Sequence, residues 1–337
     1  MSDNKMQAVI LTEDGVTLAE VDRPEVKPTQ VLVKVASCSV NRSDLLTTQG
    51  KNYGHVGGAA KVMGAACCGE VVEVGSEVSG VSRGDRVMAV GAAGWAEYAL
   101  ADYRRTLPVP DGMDLILGGS YSSAFLTMHD AIVTNGEFKP GQSILIQGAS
   151  TGVGIMGMQM GKHLGANLVI GTSTNAERRA RLSEFGADLA LDSSDPNWVD
   201  QVLDATDGKG VDLVIDQISG SIFNQTMSAT KIHGRIINVG RLGGEKAEFD
   251  FNMLAERRLT YIGTTGRTRS LEEHAEVFRS AKADLWGAME AGVFRMPIDS
   301  TFDISEAAAA LERAAANKHF GRIMLTVNAQ RDTQATK

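Results

Sequence analysis

The amino-acid sequence predicts an α/β protein of two domains, one of them built on a doubly wound parallel sheet. Its 337 residues are about twice the usual length of a single domain. Short β-like runs broken by turns fill the first third, and from Pro140 to about Gly263 apolar strands alternate with helix-length amphipathic segments, the signature of βαβ units. Glycine is plentiful at 37 residues, as many tight strand-to-helix turns require.

From Gln7 to about Leu107 the β-like runs are QAVIL, QVLVKVAS, GEVVEVG, DRVMAV and AEYAL, with little helical periodicity between them. The strands of the middle stretch are SILIQ, NLVIGT, ADLAL, VDLVID, RIINVG and LTYIG, and helices between six such strands fit a doubly wound sheet. After Leu271 come a helical stretch to about Ala291, the run IDSTF, the alanine-rich helix EAAAALERAAA and a last strand, GRIMLTV. These fall outside the repeating pattern. The tail after Asn328 is polar and reads as frayed.

Apolar residues make up 43% of the chain and charged residues 22%, which is globular rather than disordered. A formal net charge of −8 argues against a nucleic-acid surface, because neutralising phosphates needs a basic face. Cysteine occurs three times, with Cys67 and Cys68 adjacent, so there is neither a disulfide framework nor a spaced set of four for structural zinc. The adjacent pair reads as buried small apolar residues. The stretch MSDNKMQAVILTEDG lacks a basic region followed by an apolar core, and no run approaches the roughly 18 apolar residues of a membrane helix. A cytoplasmic protein without a membrane partner is the expectation.

The strongest motif is GASTGVG, placed directly after SILIQ and opening the helix IMGMQMGKHLGA. A strand, a glycine-rich turn and a helix N-terminus together offer backbone N–H groups and a positive dipole end to a pyrophosphate. The spacing is A-x-x-G-x-x-G, and the candidate cofactor contacts are Gly148, Ala149, Ser150, Thr151, Gly152, Val153 and Gly154. The alternative is a turn that merely packs helix on strand.

An NAD site usually carries an acid at the end of the second strand, to accept from the ribose hydroxyls. Here that stretch reads GTSTNAERRAR, with no carboxylate before Glu177. Thr172, Ser173, Thr174, Asn175 and Arg178 stand there instead, and a fork-shaped guanidinium suits a 2′-phosphate. NADP(H) is therefore the expected cofactor. Arg178, Arg179 and Arg181 can equally form a solvated helix face, and of the three Arg178 is the candidate.

The segment ASCSVNRSDLLTTQGKNY resembles the A-x-x-V-N-x-x-D-x-x-x-x-x-G-x-Y stretch of quinone oxidoreductases. GEVVEVGSEVSGVSRGDRV is similar to the glycine-bounded strands and G-D-R-V turn of the medium-chain dehydrogenase/reductase family, FLTMHDAI to the helix that starts its cofactor domain, and NKHFGRIMLTV to its closing strand. The resemblance runs from about Gln7 to Val327. It implies a GroES-like β-rich catalytic domain over residues 1–120 and 265–337, interrupted by a Rossmann NADP-binding domain over 121–264, with the active site in the cleft between them.

The branch turns on metal ligands. Zinc-dependent relatives have a cysteine where Asn41 stands and a G-H-E triplet where this chain has Gly64, Ala65 and Ala66. Asparagine and alanine cannot supply a zinc ion, and Cys38 with His55 makes a poor site, so no metal is expected. The remaining histidines show no catalytic pairing. The resemblance implies hydride transfer from NADPH to an electron-poor carbon. Tyr53 stands near the family position of a tyrosine that faces substrate, as a donor to the developing oxyanion or as a rim aromatic. Asn41 resembles the asparagine beside the nicotinamide. Asp44, three residues on, is either part of that machinery or a capping group.

Thr127 matches the threonine at the nicotinamide end, unless it bonds its own backbone. Gly240, ending RIINVG, lies where backbone approaches the nicotinamide ribose. Arg269 in GTTGRTR and Asn317 in N-K-x-x-G-R resemble further cofactor contacts. The family's P-G-x-E-x-x-G stretch departs here to Met63, Gly64, Ala65, Ala66, Cys67, Cys68, Gly69, and KNYGHVGGAAKV is glycine-rich where relatives have prolines, so the pocket differs from theirs. The reading is an NADPH-dependent reductase of quinones or activated alkenes such as enones. Zinc-free carbonyl or alcohol interconversion and a non-catalytic NADPH-binding protein are the alternatives. A homodimer follows from the resemblance, with LTYIGTTG as an apolar pairing edge.

Overall fold

The computed structural model describes residues 4–50, 62–91 and 93–327. The chain divides into two compact units, one of Met1–Ser123, Arg267–Glu290 and Met296–Lys337, the other of Ala124–Gly266 and Ala291–Arg295.

The first unit opens with β1 (Lys5–Thr12) and β2 (Gly15–Asp22), an antiparallel hairpin in register from Lys5↔Asp22 to Thr12↔Gly15. The second strand was not among the expected runs. Its side chains alternate only weakly in burial, so its period-two signal is faint, and full pairing with β1 defines it. Next come β3 (Gln30–Ser39), α1 (Arg42–Thr48), β4 (Ala66–Val74), β5 (Arg86–Val90), β6 (Tyr98–Asp102) and β7 (Thr106–Pro108). Val31, Val33 and Val35 of β3 and Val71 of β4 point into one core, as alternation along half-buried strands requires.

In the second unit, entered along α2 (Leu115–His129), the sheet strands are β8 (Ser143–Ile146), β9 (Leu168–Thr172), β10 (Leu189–Leu191), β11 (Val211–Asp216), β12 (Thr230–Asn238) and β13 (Thr260–Gly263). The helices α3 (Gly152–His163), α4 (Ala176–Ala180), α5 (Trp198–Asp204), α6 (Phe223–Ala229) and α7 (Phe251–Arg257) lie between them in sequence. All six strands are parallel in the order β10-β9-β8-β11-β12-β13. This is a doubly wound sheet, and its strand order reverses between β8 and β11, where such sheets take ligands. β8 is buried throughout, as expected of a central parallel strand.

Returning to the first unit, the chain forms α8 (Leu271–Glu290), β14 (Ile298–Asp303), α9 (Ala307–Ala315) and β15 (Arg322–Thr326). β15 pairs antiparallel with β3, from Met324↔Ser39 to Thr326↔Ser37, and parallel with β14. Ile323 and Leu325 of β15 and Ala310 and Leu311 of α9 join the same core as β3 and β4. Segments far apart in sequence thus close one sheet.

Candidate functional site

In the second unit the carboxyl ends of β8, β9, β11 and β12 carry a hydrogen-bonded rim. The turn after β8 is shaped by Gly148, whose φ of +68° is a conformation L side chains rarely adopt. Thr151 caps α3: its hydroxyl accepts from the Gly154 backbone N–H at 3.0 Å and donates to the Gly148 carbonyl at 3.0 Å. A methyl on Gly154 would lie 2.6 Å from both the Ala149 Cα and the Gly148 carbonyl oxygen, so only glycine lets the helix start so close to the strand. The Gly148 N–H donates to the Thr172 hydroxyl at 3.2 Å and the Ala149 N–H to the Thr172 carbonyl at 2.9 Å, tying the turn to the end of β9. Ser173 and Ser150, both buried, bond hydroxyl to hydroxyl at 3.3 Å. Gly152 is buried and Val153 half-buried at the start of α3.

Beyond β9, Thr174 and Asn175 are exposed, and Asn175 caps α4 by accepting from the Arg178 N–H at 2.9 Å. Arg179 donates to the Ser173 carbonyl at 2.8 Å and to Asp192 at 2.9 Å, and Arg181 pairs with Glu184 at 3.7 Å. Both are committed to the fold. Arg178, the first of the three arginines after the strand end, is half-buried.

Sequence reasoning missed the other half of this rim. Asp216, fully buried at the end of β11, accepts from the Ile218 N–H at 2.9 Å, the Ser219 N–H at 2.7 Å and the Ser219 hydroxyl at 2.8 Å. Asn238, ending β12, donates to the Ser219 oxygen at 2.6 Å and to the Gly240 carbonyl at 3.2 Å. Ser219 holds a φ of +54°, a strain these bonds fix in place. Gln217 donates to the Gln147 carbonyl at 2.9 Å, and its Oε1 is 3.1 Å from the Thr151 hydroxyl, joining the ends of β11 and β8. The available signal was the acid closing VDLVID, followed by Q-I-S-G. Gly240 belongs to this cluster. Thr127 is half-buried on α2.

In the first unit a second cluster surrounds the start of α1. Asn41 and Asp44 form a capping box: Asp44 Oδ2 accepts from the Asn41 N–H at 2.7 Å, and its Oδ1 accepts from the Ala65 N–H at 3.1 Å. The capping alternative for Asp44 is thus realised, although the group is 3% exposed, unusual for a helix cap. Burial pushes its carboxyl up to about 7 against the downward pull of those N–H groups and of Arg322. Asn41 donates through Nδ2 to the carbonyl and the hydroxyl of Ser39, each at 3.1 Å, and accepts at Oδ1 from Arg322 Nη1 at 3.0 Å. Arg322 is 5% exposed, and burial pulls its guanidinium down to about 10, so it stays charged at neutral pH.

Elsewhere in the first unit, Arg269 is half-buried and Asn317 exposed. Asn317 adopts φ +51° just after α9, the left-handed residue that commonly ends a helix, and donates to the Ala315 carbonyl at 3.2 Å. Tyr53 and His55 lie outside the described residues.

The donor chemistry of this centre does not fit zinc. Ala65 and Ala66 offer no side-chain ligand, the Asn41 oxygen is taken by a guanidinium, and a fixed cation beside it opposes a second one. Cys38 is fully buried, donates to the Gly94 carbonyl at 3.1 Å, and is held well above the ordinary thiol range by burial. Among the described residues no group of three His, Cys, Asp or Glu side chains can hold a metal.

A GroES-like β unit with a doubly wound sheet bearing an A-x-x-G-x-x-G turn defines a class, and the chain belongs to the medium-chain dehydrogenase/reductase family. Residues 27–134 match the family model described as alcohol dehydrogenase GroES-like domain, and residues 152–282 that described as zinc-binding dehydrogenase. The chain is 27% identical over 296 residues to quinone oxidoreductase of Pongo abelii, covering 87% of this chain and 88% of that one. It is also 27% identical over 314 residues to a phenolphthiocerol/phthiocerol polyketide synthase of Mycobacterium tuberculosis, covering 93% of this chain but only 14% of that much longer protein. The solved structure of mycobacterial Rv1454c complexed with NADPH superposes with a TM-score of 0.83 at 25% identity, covering 96% of this chain and all of the other.

Proposed function

We propose that this protein is an NADPH-dependent oxidoreductase that reduces quinones or activated alkenes such as enones, without zinc. The observation that carries this is the rim at the carboxyl ends of β8 and β9, a glycine turn and helix start for the pyrophosphate with Arg178 rather than an acid following the second strand. The NADPH complex of the mycobacterial relative and the quinone oxidoreductase name of the primate one support it. When bound, the nicotinamide supplies the hydride. The residues of this chain do the rest. The Gly148–Gly154 turn holds the pyrophosphate, with Ser150, Gly152 and Val153 as its backbone donors and Thr151 as the cap that shapes it. Thr172, Ser173, Thr174, Asn175 and Arg178 hold the adenosine ribose and its phosphate. The Asp216–Ser219–Asn238 cluster fixes the backbone around Gly240 for the nicotinamide ribose. Asn41 stands beside the nicotinamide and, with Tyr53, serves the substrate, and Thr127, Arg269 and Asn317 are further cofactor contacts.

For partners, the same reading takes a small electrophile and a second copy of the chain. β13 ends its sheet, and Tyr261 on it and Phe251 on α7 are exposed at 43% and 75%, an apolar edge suited to two-fold pairing. Three free, buried cysteines suit a reducing, cytoplasmic setting, and no helix among the described residues is long and apolar enough to cross a membrane. The test is NADPH oxidation with a panel of quinones, enones, ketones and aldehydes in the presence of a strong chelator. Turnover of quinones or enones that persists in chelator is expected. Turnover confined to ketones and aldehydes, or abolished by chelator, contradicts the proposal.

A further inference from the structure

Arg322 is the buried charge that the apolar strand around it does not need. Its neighbours on β15, Ile323, Met324 and Leu325, are buried and apolar, and a methionine there would cost the core nothing in kind. The guanidinium carries five N–H donors, yet among the described residues only its Nη1 finds a hydrogen bond, to Asn41, while Nε and Nη2 are buried with no partner. Burying donors unpaired costs free energy, and a buried ion pair is seldom a net source of stability. What the arrangement does achieve is orientation. Rotating the Asn41 carboxamide by half a turn would set its NH2 against Arg322 Nη1 and its oxygen against the Ser39 carbonyl, breaking both contacts at once.

We propose that Arg322 is a positioning residue: its guanidinium locks the Asn41 carboxamide in a single orientation and serves as the fixed cation of that centre. This rests on the oxidoreductase reading, in which Asn41 serves the substrate. The centre is closed by few groups. Asp44 is faced by the N–H groups of Asn41 and Ala65, by Arg322 from β15, and by the Cys38 thiol from β3. Among these described groups Arg322 is the one cation. The main chain fixes its approach, since the Arg322 N–H donates to the Pro297 carbonyl at 3.0 Å and the Val40 N–H to the Ile323 carbonyl at 2.9 Å.

The test uses the full chain as Arg322→Met, Arg322→Lys and the double variant Arg322→Met with Asp44→Asn, which removes both charges and so folds without an unpaired ion. NADPH affinity is read by calorimetry, turnover with a quinone acceptor, and the Asp44 carboxyl by carbon-13 NMR titration, assigned by its absence in Asp44→Asn. Arg322→Met is expected to lower kcat on the order of 100-fold, the scale of a misplaced reacting group, with NADPH affinity changed less than about threefold. The Asp44 midpoint rises in Arg322→Met and returns toward the wild-type value in Arg322→Lys, and the double variant stays folded, binds NADPH and remains slow. A double variant that turns over like wild type, or an Asp44 midpoint indifferent to residue 322, overturns the proposal. Wild-type protein that binds NADPH but reduces no acceptor sinks the functional reading instead, and the titration still decides the role of Arg322.

Discussion

The rim of the second unit and the Asn41 centre of the first solve opposite problems. The rim is built of glycines, hydroxyls and amides joined by hydrogen bonds, with Asp216 as its buried acid and four donors on it. The Asn41 centre orients one carboxamide with a buried guanidinium, beside a buried carboxyl raised to about 7, and leaves two guanidinium nitrogens unpaired. Hydrogen bonds between neutral groups are forgiving of pH. A charged, partly satisfied network is costly and sensitive to it.

The contrast breaks first at Gly154. A valine there meets backbone on two sides, so Gly154→Val should weaken NADPH binding roughly 100-fold or more, about 2.7 kcal/mol, as read by calorimetry. Retained affinity would show that the turn is not the cradle. Arg178→Ala comes next. Losing charged hydrogen bonds of about 1.5–3 kcal/mol should weaken NADPH about 10- to 100-fold and leave NADH unchanged, and equal losses for both would remove Arg178 from the phosphate.

Much of this comparison was legible in advance, unevenly. The rim around GASTGVG is local: strand, turn and helix are contiguous, so spacing alone places Gly148, Thr151 and Gly154 together. That Arg179 reaches Asp192 and Ser173, and Arg181 reaches Glu184, is something adjacency in sequence does not reveal. The Asn41 centre was half visible. Asn41 and Asp44 show the spacing of a cap, but Arg322 lies 281 residues away and opens an apolar strand, where a charge reads as a solvent-facing end. The pairing of β15 with β3 brings it inside. Asp216 was hidden likewise, because an acid ending VDLVID looks like the start of a loop until β12 supplies Asn238.

Sensitivity to pH sharpens the contrast further. The Asp44 carboxyl has an ordinary value of 3.8 in the unfolded chain and about 7 in the folded one, so between those limits the folded state holds more protons than the unfolded. Its contribution to stability is therefore fully present below about 4 and is lost as pH rises through about 7. Across that window the melting temperature of wild type should fall relative to that of Asp44→Asn, whatever the constant offset from the altered cap. A difference that stays flat with pH would mean that Asp44 is ionised throughout. The smallest effect belongs to the turn after β8, where Thr151→Ala removes the cap of α3 and should cost about 1 kcal/mol in denaturant unfolding, equally in mildly acidic and mildly basic buffer. A cost that changes with pH would blur the distinction between the two regions.

The most direct measurement is calorimetric titration of the wild-type protein with NADPH and, separately, with NADH. The account predicts that NADPH associates, and more tightly than NADH, because a guanidinium rather than a carboxylate follows the second strand of the sheet. Tighter association of NADH, or no association of either, would contradict it.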